Sequence, residues 1–306
     1  MAYPVAAGVT SMSGTYIPEI WSGKTLIKFY TATIFAAISN TDFEGEINSM
    51  GDKVHISTVP DMVIRDYVIG QKLVRDRPIA ADVELNIDKG KYYSFVINSV
   101  EKKQAKINYI EKWTDDAGMQ MKIEIDSDIL ADVYTDADAT NAGNSAGAKS
   151  GSIQLGATGA PIALTKANVL DYIVDMGTCL DENDIPETQR WIAFPAIFCG
   201  MIKKSDLKDA SLAGDGTSIM RNGRLGIIDR FEIYSSNQID TTTDGANTAH
   251  NCIFGHPAAL TFASQLTENR IIDNPDDFGK IMEGLQVFGY KVIKPTAMGH
   301  FYAIKG

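Results

Sequence analysis

Apolar and polar residues alternate with a period of two along Val54-His55-Ile56-Ser57-Thr58-Val59 and again along Val83-Glu84-Leu85-Asn86-Ile87-Asp88. That period predicts two strands with one face wet and one face buried. The aromatic run Tyr92-Tyr93-Ser94-Phe95-Val96-Ile97 follows as a third strand segment. The two alternating segments read as the legs of a long antiparallel hairpin. Residues 61 to 82 between them are too many for a tight turn and carry Arg65, Asp66, Lys72, Arg75, Asp76 and Arg77. A connection of that length is usually functional or disordered, and the segment reads as a flap reaching toward a partner, with an ordinary hairpin folded onto its own sheet as the alternative.

Ahead of the hairpin, residues 1 to 16 are small, polar and aperiodic, the pattern of an extended arm. Pro18 then suits a first helical turn, and Ile20, Trp21, Leu26, Ile27, Ile34, Phe35 and Ile38 recur at near-helical spacing, interrupted at Gly23. The strongest helical signal lies beyond the hairpin. Ile107, Ile110, Trp113, Ala117, Met121, Ile125, Ile129 and Val133 stand three or four apart, with Asp115, Asp116, Asp126, Asp128 and other charges on the intervening wet face. About 27 residues at 1.5 Å each make a strut of roughly 40 Å. Residues 137 to 161 are rich in Gly, Ala, Ser and Asn and read as a loop or linker, with a subdomain boundary near them. Thr165 is a candidate N-cap for a second amphipathic helix ending near Gly177. The remainder mixes short apolar runs with turns and shows no regular βαβ alternation, so the fold class is α+β.

Composition narrows the picture. The chain has 306 residues, 44% of them hydrophobic, enough for a large core. No run approaches the roughly 18 apolar residues of a membrane span, so no membrane partner is expected. Cys179, Cys199 and Cys252 lie far apart with no C-x-x-C pair, which indicates neither a disulfide framework nor a zinc site. The formal charge of −11 repels a polyanion rather than gripping it. Tight nucleic-acid binding is therefore not expected, whereas an acidic container wall is compatible with enclosing DNA without sequence-specific contacts.

Candidate chemistry is thin. Gly23-Lys24-Thr25 resembles the end of a phosphate loop, but the required earlier glycine falls at Pro18 and no strand leads in. Asp136-Ala137-Asp138-Ala139-Thr140-Asn141 starts like a calcium loop, yet its twelfth position is Gly147. His55, His250, His256 and His300 are scattered, and the carboxylate pairs Asp115-Asp116 and Asp126/Asp128 read as solvated charge on a helix. No catalytic, cofactor-binding or metal site is expected.

The order of elements is itself informative: arm, short helix, long charged hairpin, strut helix, Gly-rich break, α+β remainder. Within it stand Pro18-Glu19-Ile20-Trp21, Gly51-Asp52-Lys53-Val54 leading to Val59-Pro60, Leu85-Asn86-Ile87-Asp88, and Leu180-Asp181-Glu182-Asn183-Asp184-Ile185-Pro186-Glu187 running into Arg190-Trp191 and Phe194-Pro195. Arg221-Asn222-Gly223-Arg224-Leu225-Gly226, Phe231-Glu232-Ile233-Tyr234 and Gly255-His256-Pro257-Ala258-Ala259 follow. In this order the strings resemble the tailed-bacteriophage major capsid protein family, which has the Hong Kong 97 fold, over nearly the whole chain.

The resemblance implies an N-terminal arm and short helix at 1–45, an extended loop at 46–98, a peripheral domain with a spine helix at 99–165, an axial domain at 166–252, and a return to the peripheral domain with C-terminal axial strands at 253–306. It further implies a structural, non-enzymatic subunit, made in the bacterial host cytoplasm, that assembles with itself into hexamers and pentamers of an icosahedral virion shell around double-stranded DNA. Too little chain precedes the loop for a fused scaffolding segment, so a separate scaffolding protein is expected, with a portal and decoration proteins as further partners. Arg65, Asp66, Lys72, Arg75, Asp76 and Arg77 are the expected intersubunit contacts. An encapsulin-like compartment shell is the second reading, and a soluble enzyme with a site assembled from distant residues is the third.

Overall fold

The computed structural model describes residues 33–42, 53–57, 60, 62–77, 82–99, 109–205 and 226–306. The arm, the Gly23-Lys24-Thr25 segment and Arg221-Asn222-Gly223-Arg224-Leu225 lie outside the described residues.

A strand buried on both faces sets the architecture. In β5 (Arg190–Phe194) all five residues are buried, the pattern of a central strand covered on each side. It pairs in parallel with β7 (Phe231–Ser235) and antiparallel with β9 (Asn247–Gly255). With β4 (Ile162–Leu164), β6 (Ile227–Ile228) and β12 (Met298–Lys305), the sheet runs β4-β12-β9-β5-β7-β6, and β8 (Thr241–Asp244) pairs with β9. On one face Ile192, Phe194, Cys252, Phe254 and Phe301 pack against Ile173, Met176 and Leu180 of α3 (Val169–Glu182) and Phe198 and Ile202 of α4 (Ala196–Lys204). On the other, Trp191, Ile253 and Met298 meet Ile125, Ile129 and Val133 from the strut helix α2 (Tyr109–Asp132) and its continuing turn. The three cysteines are buried, and burial raises their thiol pKa, that of Cys179 to about 12.

Beyond this body stands a second sheet of β10 (Leu260–Asp273), β11 (Gly279–Val292) and β3 (Lys89–Asn98), antiparallel throughout. One face takes α2: Lys91 pairs with Asp128 at 2.7 Å, and Trp113 meets Phe95 edge-on at 6.0 Å. Helix α2 is 24 residues long, roughly 36 Å. Its apolar stripe is buried at Ile125 and Ile129 but 46% exposed at Trp113, so the strut is anchored at its C-terminal end. Ile107 lies outside the described residues. Asp126 departs from the expected solvated position: it is fully buried, and its Oδ1 accepts the backbone N–H groups of Ile34 (3.1 Å) and Phe35 (2.9 Å). It caps α1 (Phe35–Ile38), a short turn that plugs the junction of α2 with β10. The periodicity missed this because a capping carboxylate and a solvated one look alike in sequence.

The opposite face of the second sheet carries the hairpin expected from the alternation. Strands β1 (Lys53–Ser57) and β2 (Asp82–Asn86) pair antiparallel with Val54 opposite Leu85 and Ile56 opposite Val83. Their buried side chains, with Ile87, sit on Ala263, Val287 and Ile293. The approach is close at Gly289, where any Cβ would meet the Asn86 carbonyl oxygen. Gly289→Ala should therefore lift the hairpin base from β11 at a cost of about 1–3 kcal/mol. Hydrogen exchange reads this as lost protection at 53–57 and 82–87 with α3 unchanged. Gly90→Ala, whose nearest neighbour would be Gln286 O at 3.9 Å, is the tolerated control.

The Gly-rich stretch 137–161 is a loop, as expected, but a firmly tied one. Buried Asn141 donates to the carbonyls of Thr296 (2.7 Å) and Met298 (3.2 Å), and Glu182 accepts the N–H groups of Lys149 and Ser150. Helix α3 begins at Val169 rather than beside Thr165, whose hydroxyl instead accepts from the Ala167 N–H, and it runs through Gly177, where a Cβ would crowd the Asp229 carboxylate at 2.9 Å.

A polar hub fastens the C-terminal end of α3. The Arg190 side chain is fully buried and donates to the carbonyls of Pro186 (2.9 Å), Gly177 (3.3 Å) and Ile185 (2.6 Å) and to Asp181 (2.7 Å). The other oxygen of Asp181 accepts from Arg230, which also pairs with Glu187 at 2.7 Å. Around this hub lie four non-glycine residues with positive φ: Asp184 (56°), Gln189 (60°), Asp229 (45°) and Arg230 (67°). Left-handed backbone costs an L-residue about 1–2 kcal/mol.

His300 stands on β12 with its ring contacting Asn251 Oδ1 at 3.2 Å, and burial pushes its pKa down to about 4. The unfolded chain protonates this imidazole near pH 6.5 and the folded chain does so only near 4. Stability from this group is therefore complete above pH 6.5 and is lost as pH falls toward 4, by on the order of 2–3 kcal/mol. His300→Gln should flatten the decline in urea-unfolding free energy between pH 7 and pH 4.5; an unchanged slope would remove His300 from the account.

Candidate assembly interface

The hairpin legs stop pairing at Ser57 and Asp82, and the chain between them projects without a further ladder among the described residues. Its tip is a turn in which the Gln71 N–H donates to the Val68 carbonyl (3.0 Å) and Gly70 takes φ +86°, a left-handed position glycine occupies without strain. Lower down, the Arg65 guanidinium forks onto Asp76 through both carboxylate oxygens, at 2.5 and 3.1 Å. The hydrogen bond to Asp76 raises the Arg65 pKa, and the same bond lowers that of Asp76. The pair is a crossbar between the legs. Asp66, Lys72, Arg75 and Arg77 are exposed.

Sequence reasoning singled out these charges and passed over the apolar side chains among them. Met62, Val63, Ile64, Tyr67, Val68, Ile69, Leu73 and Val74 are all exposed, Ile64 by 90% and Ile69 by 91%. So many bare apolar side chains within one short segment are the mark of an interaction surface. The available signal was the apolar fraction of a segment with no period, which argues against both a core element and an ordinary solvated loop.

Further uncovered apolar surface lies on the second sheet, on the face opposite α2. There Tyr92 and Leu285 are exposed in a shallow groove of about 300 Å³, with Glu268, Arg270 and Glu283 at its wall, and Val96 and Ile272 are exposed further along the same strands. On the α2 face of the same sheet, Gly284 admits the Tyr93 ring, whose hydroxyl donates to Asn269 at 3.0 Å. At the far end the β10–β11 turn presents Phe278, 85% exposed, beside Asp276 and Asp277.

The structure brings no reactive set together at the other residues weighed. Asp138 caps a local turn through the Thr140 N–H. His55 pairs with Asp82 on the hairpin while His250 contacts Phe198 in the core. No group of three His, Cys, Asp or Glu residues among the described residues is placed to hold a metal ion. None of the described helices is long and apolar enough to cross a membrane.

An α+β fold of a mixed sheet flanked by helices, a second sheet on a strut helix and a projecting hairpin defines a class, and solved structures show which one. The chain superposes on a structure from Mycobacterium phage Che8 with a TM-score of 0.77 and 24% identity, over 94% of this chain and 97% of that one. The capsid of cyanophage P-SCSP1u gives 0.70 and 16%, over 95% and 94%. The capsid of Ralstonia phage GP4 gives 0.66 and 12%, over 98% and 99%. The fold is thus the phage capsid fold, as the sequence resemblance implied. No family model matches the chain, and no curated protein matches it in sequence.

Proposed function

We propose that this protein is the major capsid subunit of a tailed phage, a structural protein that assembles into hexamers and pentamers of an icosahedral shell around double-stranded DNA. The carrying observation is the likeness to phage capsids over nearly the full length of both chains. The loop at 62–77 supports it, because its apolar side chains are left for another molecule to cover. In this reading the loop crosses onto a neighbouring subunit. Many repeated modest contacts closed by symmetry then hold the shell without any one strong interface. A scaffolding protein and a portal would direct closure, with decoration proteins added outside, and the virion would be the protein's final location.

Arg65, Asp66, Lys72, Arg75, Asp76 and Arg77 remain in this proposal as the charged frame of the contact. Arg65 and Asp76 set the spacing of the legs, while Asp66, Lys72, Arg75 and Arg77 meet the neighbour. Arg65→Asp should slow assembly several-fold without changing the thermal midpoint of the dispersed subunit, and adding Asp76→Arg should restore it, read by light scattering after a salt jump. If the double exchange fails to rescue, the pair does not act within one loop.

The proposal as a whole is tested by size-exclusion chromatography with light scattering on the expressed protein. Capsomers or megadalton particles are expected. A monomer that persists in crowding agent and with its scaffolding protein would overturn it.

A further inference from the structure

The turn between β6 and β7 is built against the preference of its backbone. A two-residue hairpin connection with positive φ at both positions is the type I′ turn, whose usual occupants are Asn-Gly. Here they are Asp229 and Arg230. What holds the turn is lateral. Arg230 reaches Asp181 at 3.0 Å and Glu187 at 2.7 Å, and the Asp229 carboxylate lies over Gly177 of α3. Little else does. Strand β6 offers two ladder positions at the outer edge of its sheet, and Ile227 is 73% exposed. The Arg230, Asp181 and Glu187 side chains are themselves between about a third and two-thirds exposed, so salt screens their pairing. Next to the turn, Asp184 and Gln189 carry the same kind of backbone strain, which persists where surroundings over-determine it and clusters where an element must switch.

We infer that the Asp229–Arg230 turn is a two-state element, held closed by the Arg230 ion pairs, whose opening lets β6 leave the sheet while β7 stays. Phe231, the next residue, is fully buried in the core, so movement stops there. The switch stands on the subunit's own geometry. Its use rests on the shell reading: one chain that enters rings of two sizes needs an edge that changes while the core does not, and this is such an edge.

Hydrogen exchange on the dispersed subunit tests the switch without assembly. Peptides covering 226–235 should exchange about tenfold faster at high than at low sodium chloride, with α3 unaffected. Glu187→Gln should give fast exchange even at low salt. D229N/R230G, which supplies the residues the turn prefers, should exchange slowly at both. Salt-indifferent exchange in the unmodified protein, or faster exchange in D229N/R230G with the thermal midpoint retained, overturns the switch. Its role is read separately by electron microscopy, where the locked variant should form tubes or flat sheets in place of closed shells. Closed shells from that variant overturn the role. Absence of any particle from the unmodified protein would instead defeat the shell reading and leave the exchange result standing.

Discussion

Replacing Ile64, Tyr67, Ile69 and Leu73 together with serine should abolish particle formation while leaving the subunit folded. All four side chains are exposed in the single chain, so the substitutions remove nothing from its core, and the thermal midpoint should move by less than a few degrees. Covering an aliphatic or aromatic side chain of this size is worth about 1.5–3 kcal/mol. Four of them account for on the order of 6–12 kcal/mol per loop contact. The exposed charges of the same loop contribute about 0–1 kcal/mol per ion pair. The apolar residues therefore decide strength and the charges decide register. Sedimentation velocity of the variant should show only subunits or small oligomers; particles in normal yield would mean that the loop is not the contact.

Arg190→Ala should produce the largest loss of subunit stability of any single polar substitution among the described residues. Three backbone carbonyls and Asp181 all depend on the one buried guanidinium. Leaving buried acceptors without their donor costs about 1–3 kcal/mol each, so losing three carbonyl partners at once predicts a fall in thermal midpoint on the order of 10 °C. Arg190→Lys should recover little, because a point ammonium cannot reproduce a planar fork serving four acceptors. Circular dichroism melting of both variants checks this, and a loss below about 1 kcal/mol for Ala would show that the loop 183–189 is held by other means.

How far the sequence reveals these features depends on the range of the interactions. Period-two alternation located β1 and β2, and the three-to-four spacing located α2, because each reports a local face. The same spacing could not report that Trp113 would stay half bare while Ile129 is covered, since coverage depends on elements distant in the chain, from Ile34 to Met298. Asp126 looked solvated because nothing local distinguishes it from Asp128; only the arrival of residues 34 and 35 at its carboxylate does. Helix α3 ran past Gly177 because that glycine answers a close approach by Asp229 rather than a helix stop. At the loop, charge was conspicuous and apolar content was not, because aperiodic apolar residues match no secondary-structure template. The hub at Arg190 was invisible as chemistry: all five of its hydrogen bonds, counting that of Arg230, end on residues 177 to 186, and their meaning appears only once the loop is closed.

The most direct test of the central claim is electron cryo-microscopy of the protein expressed with its scaffolding partner. The account predicts closed icosahedral particles built from six- and five-membered rings of this chain, with residues 62–77 of each subunit buried against a neighbour. A homogeneous monomer or small closed oligomer, with that loop bare in solvent, would contradict it.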